Sequence, residues 1–212
     1  MPPDISWDEY NAAQAGRAPR ASLAAALGAV GPPVSGERRR AGRPGRRPPV
    51  AVDLGCGEGV EVTALLGQGW VVHAVDAEAA PLERLADRTP PALRERLHIH
   101  QVAYADVDVL PEADLVHASY SLPYCEPVHF HRLWAAVRAS LRPGAVLACQ
   151  LFGPHDDAHG DPGMTFHTAE EARALFDGLE VVGWTEIDED GTSFTGPKHW
   201  HVFEVVARRP TD

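Results

Sequence analysis

The segment Val50-Ala-Val-Asp-Leu-Gly-Cys-Gly-Glu-Gly-Val60 constrains the fold of this chain more than any other. A short apolar run passes through three alternate glycines into a helical pattern, which reads as a fully buried strand turning directly into a helix. Strands buried on both faces belong to parallel sheets covered by helices on both sides. Apolar runs then recur between amphipathic segments, predicting strands at Val50–Leu54, Trp70–Val75, Leu97–Val102, Leu115–Ala118 and Ala145–Phe152, with helices between most of them. A helix over about Pro127–Leu141 ends at the stop signal Arg142-Pro143-Gly144. Thr168 and Glu171 form a capping box that opens a helix to about Phe176. Leu179–Ile187 and His199–Arg208 read as two last strands whose connection is too short for a crossover helix, so they pair as an antiparallel hairpin. The expected fold is α/β, seven-stranded and mostly parallel, ending in that hairpin, with helices on both faces.

Ahead of this unit, Ile5 to Leu27 predicts one or two short helices broken near Gly16 and Pro19, with Trp7, Tyr10, Leu23 and Leu27 as buried anchors. Residues 31–49 are rich in Arg, Pro and Gly and almost free of apolar side chains, as in a solvated linker. The expected organisation is an N-terminal helical lid segment (1–30), the linker (31–49) and one α/β domain (50–212). Six arginines, at 38, 39, 40, 43, 46 and 47, crowd the linker; without them the formal charge of −11 would be −17. So acidic a body disfavours a nucleic-acid partner, whose phosphates are held by Lys and Arg. No apolar run reaches the length of a membrane span, and the acidic opening around Asp4, Asp8 and Glu9 is unlike the basic start of a secretion signal. Cys56, Cys125 and Cys149 are odd in number and widely spaced, which suggests neither disulfides nor a zinc knuckle. Together these features predict a cytoplasmic protein.

The glycine turn is also where chemistry is expected, because it brings bare backbone and the start of a helix to the edge of the sheet. Asp76 closes the second strand 21 residues after Gly55, the setting in which a carboxylate accepts from both hydroxyls of a ribose. A nucleoside ligand is indicated. The nicotinamide fingerprint G-x-G-x-x-G requires glycine at 60, where this chain has Val60. Asp53-Leu-Gly-Cys-Gly-Glu-Gly59 instead closely resembles motif I of the class I S-adenosylmethionine-dependent methyltransferases, whose Rossmann-like fold also has seven strands and a terminal hairpin. The resemblance spans roughly Val50 to Arg208 and includes Asp76, Asp106 after the third strand, and Leu-Arg-Pro-Gly144 before the fifth.

The resemblance implies S-adenosyl-L-methionine as cofactor. Asp53 and the backbone of Gly55, Cys56 and Gly57 would hold its methionine end, and Asp76 with Ala77 its ribose. Asp106, flanked by Ala105 and Val107, would meet the adenine amine, and Ala118 and Ser119 would lie beside the methionine moiety. The opening Trp7-Asp-Glu-Tyr10 and the ending Gly-Pro-Lys-His-Trp-His201 look similar to tellurite-resistance-type and thiopurine-type enzymes, in which the segment before the first strand covers the cofactor, so Tyr10 joins the expected cofactor neighbours. The expected reaction is in-line methyl transfer to a small-molecule acceptor, which asks mainly for positioning and exclusion of water. Tyr120, Tyr124, His155, His167 and His199 are candidate proton acceptors, with Tyr120, Tyr124 and His199 taken as the catalytic set. The loop His155-Asp-Asp-Ala-His159-Gly-Asp161 has ligand-type side chains but equally the composition of a surface turn, and no metal is expected. Use of the same cofactor for cyclisation or elimination, or a non-catalytic cofactor-binding partner subunit, are the alternative functions.

Overall fold

The computed structural model describes residues 6–30 and 47–211. The linker expected at 31–49 therefore falls almost wholly outside the described residues. Seven strands form one sheet: β1 (Val50–Leu54), β2 (Val71–Asp76), β3 (Leu97–Gln101), β4 (Ala113–Ala118), β5 (Leu141–Phe152), β6 (Glu180–Ser193) and β7 (Gly196–Arg208). Their spatial order is β3-β2-β1-β4-β5-β7-β6. β1 to β5 are parallel, and β7 runs antiparallel between β5 and β6. The order reverses at β1 and β4, and at such a switch point the carboxyl ends of the strands open a crevice for a ligand.

All five residues of β1 are buried, which is why its sequence is a continuous apolar run around Asp53. Its alternate side chains join two cores. Val50, Val52 and Leu54 pack with helix α5 (Pro127–Ser140) and the short α6 (Ala169–Ala174). Ala51 faces α2 (Ala21–Ala29), α3 (Val60–Gly67) and α4 (Ala79–Arg88) through Leu23, Val62, Leu65 and Leu85. α6 opens with the expected capping box, Thr168 and Glu171 bonding each other's backbone N–H. The N-terminal helices are α1 (Trp7–Gln14) and α2, separated at Gly16 to Arg20. Leu23 is buried as expected, whereas Trp7, Tyr10 and Leu27 are only half-buried.

Two boundaries differ from the sequence reading. β5 starts at Leu141, so Arg142-Pro143-Gly144 lies within the strand as a bulge, where pairing with β4 jumps from Leu141 to Val146. The terminal hairpin is also longer than expected. Asp188 to Ser193 pair with Gly196 to His201, leaving only Phe194 and Thr195 to turn. Polar residues on this sheet edge carry no apolar alternation, so period-two reading stopped short at Ile187 and His199.

Candidate active site

A cavity of about 320 Å³ opens at the carboxyl ends of β1, β2 and β4, under α1. Its size is that of a small-ligand pocket. The glycine turn forms the floor. Gly55, Gly57 and Gly59 all have positive φ, at 65°, 48° and 67°, which L side chains rarely adopt. Gly55 and Cys56 donate their N–H groups to the Val75 carbonyl at 2.8 and 3.1 Å, and Gly57 donates to Asp76 Oδ2 at 2.7 Å. The turn is thereby tied to the end of β2. This corrects one expectation: the Gly55 and Gly57 N–H groups are already paired, so these glycines offer bare surface rather than free donors. A Cβ on Gly57 would stand 2.5 Å from Asn11 Oδ1, so the absence of a side chain there lets α1 settle over the floor.

Asp53, Gly55, Cys56, Gly57, Asp76, Ala77, Ala105 and Ser119 all border the cavity, as does Tyr10 from α1. Asp76 accepts from Gly57 N–H and, at 3.0 Å, from Glu78 N–H, and each carboxylate oxygen keeps a second lone pair. Three other expected neighbours do not reach the cavity. Asp106 closes the 3-10 turn Tyr104–Asp106, which points it outward to solvent. Val107 is buried in the α5-side core, and Ala118 likewise. Alternation along β4 explains the last case, since His117 and Ser119 point to the cavity side and Ala118 between them to the other face.

Tyr120 and Tyr124 line the cavity on the loop after β4. Tyr120 is the one described non-glycine residue with positive φ, 51°, a strained conformation of the kind that concentrates at functional sites. Its backbone N–H is held by Gln150 Oε1 at 3.1 Å, and its hydroxyl points to Glu204 at 3.5 Å. Burial pushes the Tyr120 hydroxyl up to about 12 and raises that of Tyr124 well above the ordinary phenol range. Both therefore stay protonated at neutral pH, which removes them as bases and leaves them as hydrogen-bond donors and aromatic walls. Trp7 packs edge-on against Tyr124 at 4.9 Å, and Tyr10 against Phe194 at the hairpin turn at 5.7 Å.

The histidines expected near the mouth lie elsewhere. His199 sits in the paired part of the hairpin between Asp188 (2.8 Å) and Asp190 (2.7 Å), whose hydrogen bonds raise its pKa. His155 bonds Asp188 at 2.9 Å, and His167 packs against Phe130. None of the three borders the cavity. Ligand-type atoms of His155, Asp188 and His201 do gather within 4.8 Å of one another. His201 Nδ1, however, accepts the His155 N–H at 3.1 Å, so its Nε2 carries the proton toward Glu186 and no lone pair is left for an ion.

Several cavity residues carry no sequence signal. Asn11, Arg17 and Arg20 come from the N-terminal segment, Glu61 from the first turn of α3, and His117 from β4. Glu126 and His129, at the start of α5, also border the cavity. Arg17 forms a bidentate pair with Glu61 at 2.6 and 2.7 Å, and Arg20 N–H adds a third bond to that carboxylate. The two Arg bonds bring the carboxyl of the buried Glu61 below its ordinary pKa despite its burial. The Arg20 guanidinium lies over the Tyr120 ring, 4.9 Å from its centroid. Asp53 Oδ2, Ser119 Oγ, the Tyr104 hydroxyl and Arg20 Nε are buried without a hydrogen-bond partner among the described residues. Orphaned polar atoms cost about 1–3 kcal/mol each unless something satisfies them, and these four belong to residues lining one cavity.

Over residues 52–147 the chain matches the family model described as Methyltransferase domain. Most of the cavity lining lies within this segment, and the orphaned Asp53, Ser119 and Tyr104 atoms fit a polar nucleoside cofactor. No curated protein matches by sequence. Among solved structures, the chain resembles 1,6-didemethyltoxoflavin-N1-methyltransferase of Burkholderia thailandensis, solved with 1,6-didemethyltoxoflavin and S-adenosylhomocysteine bound. The two share 20% identity at a TM-score of 0.65, over 96% of this chain and 83% of that one. TehB from Haemophilus influenzae is similar at 14% identity and TM-score 0.62 over 76% of this chain, which spans 58% of TehB. The N-methyltransferase NodS from Bradyrhizobium japonicum, in complex with S-adenosyl-L-homocysteine, is similar at 16% identity and TM-score 0.58, over 76% and 78% of the two chains. At these identities the likeness is one of fold. No described helix is long and apolar enough to cross a membrane.

Proposed function

We propose that this chain binds S-adenosylmethionine between the glycine turn and α1 and transfers its methyl group to a small-molecule acceptor held against Tyr120 and Tyr124. The observation that carries this reading is the set of buried, unpartnered polar atoms, led by Asp53 Oδ2, around a cavity floored by positive-φ glycines. Asp53 would meet the cofactor's ammonium group, Arg20 its carboxylate and Asp76 its ribose hydroxyls. α1 and α2 would act as the lid, and the domain organisation expected from the sequence is retained as part of the proposal. When bound, the cofactor supplies an activated methyl group on a positively charged sulfur.

The protein's own residues then have two tasks. Trp7, Tyr10, Tyr120 and Tyr124 wall the cavity with aromatic faces that exclude water and orient a flat or apolar acceptor. Where the acceptor atom must shed a proton, Glu126 and His129 are the groups at the Tyr124 end able to take it, since both phenols remain protonated. A small acceptor is supported by the modest cavity under α1, by the negative charge that disfavours nucleic acid, and by the small molecule bound in the Burkholderia relative.

Calorimetric titration with S-adenosylmethionine and S-adenosylhomocysteine tests the reading, with Asp76→Ala as control. Micromolar binding weakened at least tenfold in the variant is expected. Wild-type protein that binds neither compound would overturn it. In turnover, S-adenosylhomocysteine as product reports methyl transfer, and methylthioadenosine reports cyclisation or elimination instead.

A further inference from the structure

We propose that His117 is a positioning residue for the cofactor's ammonium group, orienting Asp53 from one side while Ser22 of the N-terminal helix α2 orients His117 from the other. The proposal rests on the reading of the cavity as a cofactor site and adds to it two residues from different elements.

The geometry is a chain of three side chains. His117 and Asp53 are paired positions on β4 and β1. Both point to the α2 side of the sheet, and both are buried, at 1% and 3% exposure. His117 Nδ1 lies 2.8 Å from Asp53 Oδ1, and its Nε2 lies 3.2 Å from Ser22 Oγ. Burial, helped by the nearby Glu61 carboxylate, raises the Asp53 pKa, and the hydrogen bond from His117 is the largest effect opposing it. An ionised carboxylate only accepts, so Nδ1 carries the proton to Asp53. In that tautomer Nε2 is the nitrogen that faces the Ser22 hydroxyl as acceptor, and the ring is held from both sides. Asp53 Oδ1 is occupied, whereas Oδ2, buried and without a partner among the described residues, is left for a cationic donor. An oriented carboxylate with one oxygen held and one reserved is suited to an ammonium group. Ser22 reaches His117 only when α2 lies on the sheet, so lid docking and orientation of the ammonium acceptor are one event.

The carboxylate–imidazole–hydroxyl order resembles a hydrolytic triad, yet Asp53 and His117 line the cavity and Ser22 does not, so the hydroxyl is not presented to a ligand there. Its role is therefore orientation and not nucleophilic attack.

The test compares two ligands that differ only at the far end. S-adenosylhomocysteine carries the amino-acid group, and methylthioadenosine lacks it. His117→Phe is expected to weaken S-adenosylhomocysteine about tenfold to a hundredfold, the range of a lost hydrogen bond to a charged group, and to leave methylthioadenosine within about twofold. His117→Asn, whose amide can still donate to Asp53, is expected to recover most of the loss. Ser22→Ala is expected to weaken S-adenosylhomocysteine alone, by several-fold. Equal loss of both ligands in His117→Phe, or unchanged binding of both, would overturn the proposal. A wild type that binds methylthioadenosine and S-adenosylhomocysteine equally would also overturn it, whereas a wild type that binds neither overturns the cofactor reading beneath it.

Discussion

At the scale of single residues, backbone conformation and burial decide what each group can do. Gly57 combines a φ of 48° with a close approach to Asn11, so Gly57→Ala meets both a conformational cost and a clash. A left-handed alanine costs about 1–2 kcal/mol. The expected outcome is a melting temperature lowered by roughly 2–8 °C for a domain of this size and weakened S-adenosylhomocysteine binding, checked by calorimetry. Gly28 is a useful contrast, because a Cβ there would meet nothing within 4 Å and α2 already holds it in a helix, so Gly28→Ala should bind normally and melt no lower. The three cysteines show burial acting on chemistry. Cys149 is pushed up to about 12 and Cys125 to about 11, while Cys56, beside Asp53 and Asp76, is raised by burial and by both carboxylates. None forms appreciable thiolate at neutral pH. An aromatic disulfide reagent should therefore leave all three unmodified in the native protein and titrate three thiols after unfolding. Rapid reaction of Cys56 in the native state would contradict the burial described.

At the scale of elements, the N-terminal helices are fastened to the domain mainly by charge. Arg17 and the Arg20 N–H converge on Glu61, which is almost wholly buried, while Leu23 and Ala26 supply the apolar contact. Glu61 has its pKa lowered below 4.5 in the folded protein. Its contribution is therefore fully present above pH 4.5 and lost as pH falls through the lowered folded value. Because the Arg17 side chain is partly exposed, removing one partner of this pair costs about 1–3 kcal/mol, roughly fivefold to a hundredfold in an opening equilibrium. Glu61→Gln should thus release residues 7–29 at neutral pH, seen as accelerated amide exchange confined to α1 and α2, and acid should produce the same release in the wild type. Uniform loss of protection across the sheet would show instead that the pair stabilises the whole domain. The same contrast explains what was legible in the sequence. β1, β4 and the second half of β5 announced themselves because strands buried on both faces must be apolar, and the glycine turn because its backbone excludes side chains. Asn11, Arg20, Glu61 and His117 did not, because each becomes a site residue only by meeting another element across tens of residues. Asp106 misled for a related reason: whether an acid after a strand faces the crevice depends on the phase of a single 3-10 turn. The hairpin's outer half was hidden because Asp188, Asp190 and His199 pair through charge on an exposed edge.

At the scale of the molecule, the cavity is closed by two parts of the chain that are distant in sequence. α1 covers the glycine turn through Asn11, and the turn of the β6–β7 hairpin reaches Tyr10 through Phe194. Asp8 adds an ion pair to Arg84 on α4, which also binds the buried Glu58. A cofactor in the cavity would therefore touch β1, β2, β4 and the lid at once, and its binding free energy should appear as stability of the entire fold. A ligand that binds only the native state at one hundred times its dissociation constant adds about 2.7 kcal/mol. For a domain of about 200 residues, each kcal/mol raises the melting temperature by roughly 2–4 °C. S-adenosylhomocysteine at that excess should thus raise the midpoint by roughly 5–11 °C in a single transition, and Asp76→Ala should lose the shift at the same ligand concentration. Two transitions, of which the ligand moves only one, would mean that the N-terminal helices melt separately from the sheet and that the lid takes no part in holding the cofactor. A single shifted transition that Phe194→Ala leaves intact would place the closure on α1 alone, with the hairpin's contact to Tyr10 contributing packing and no grip on the ligand.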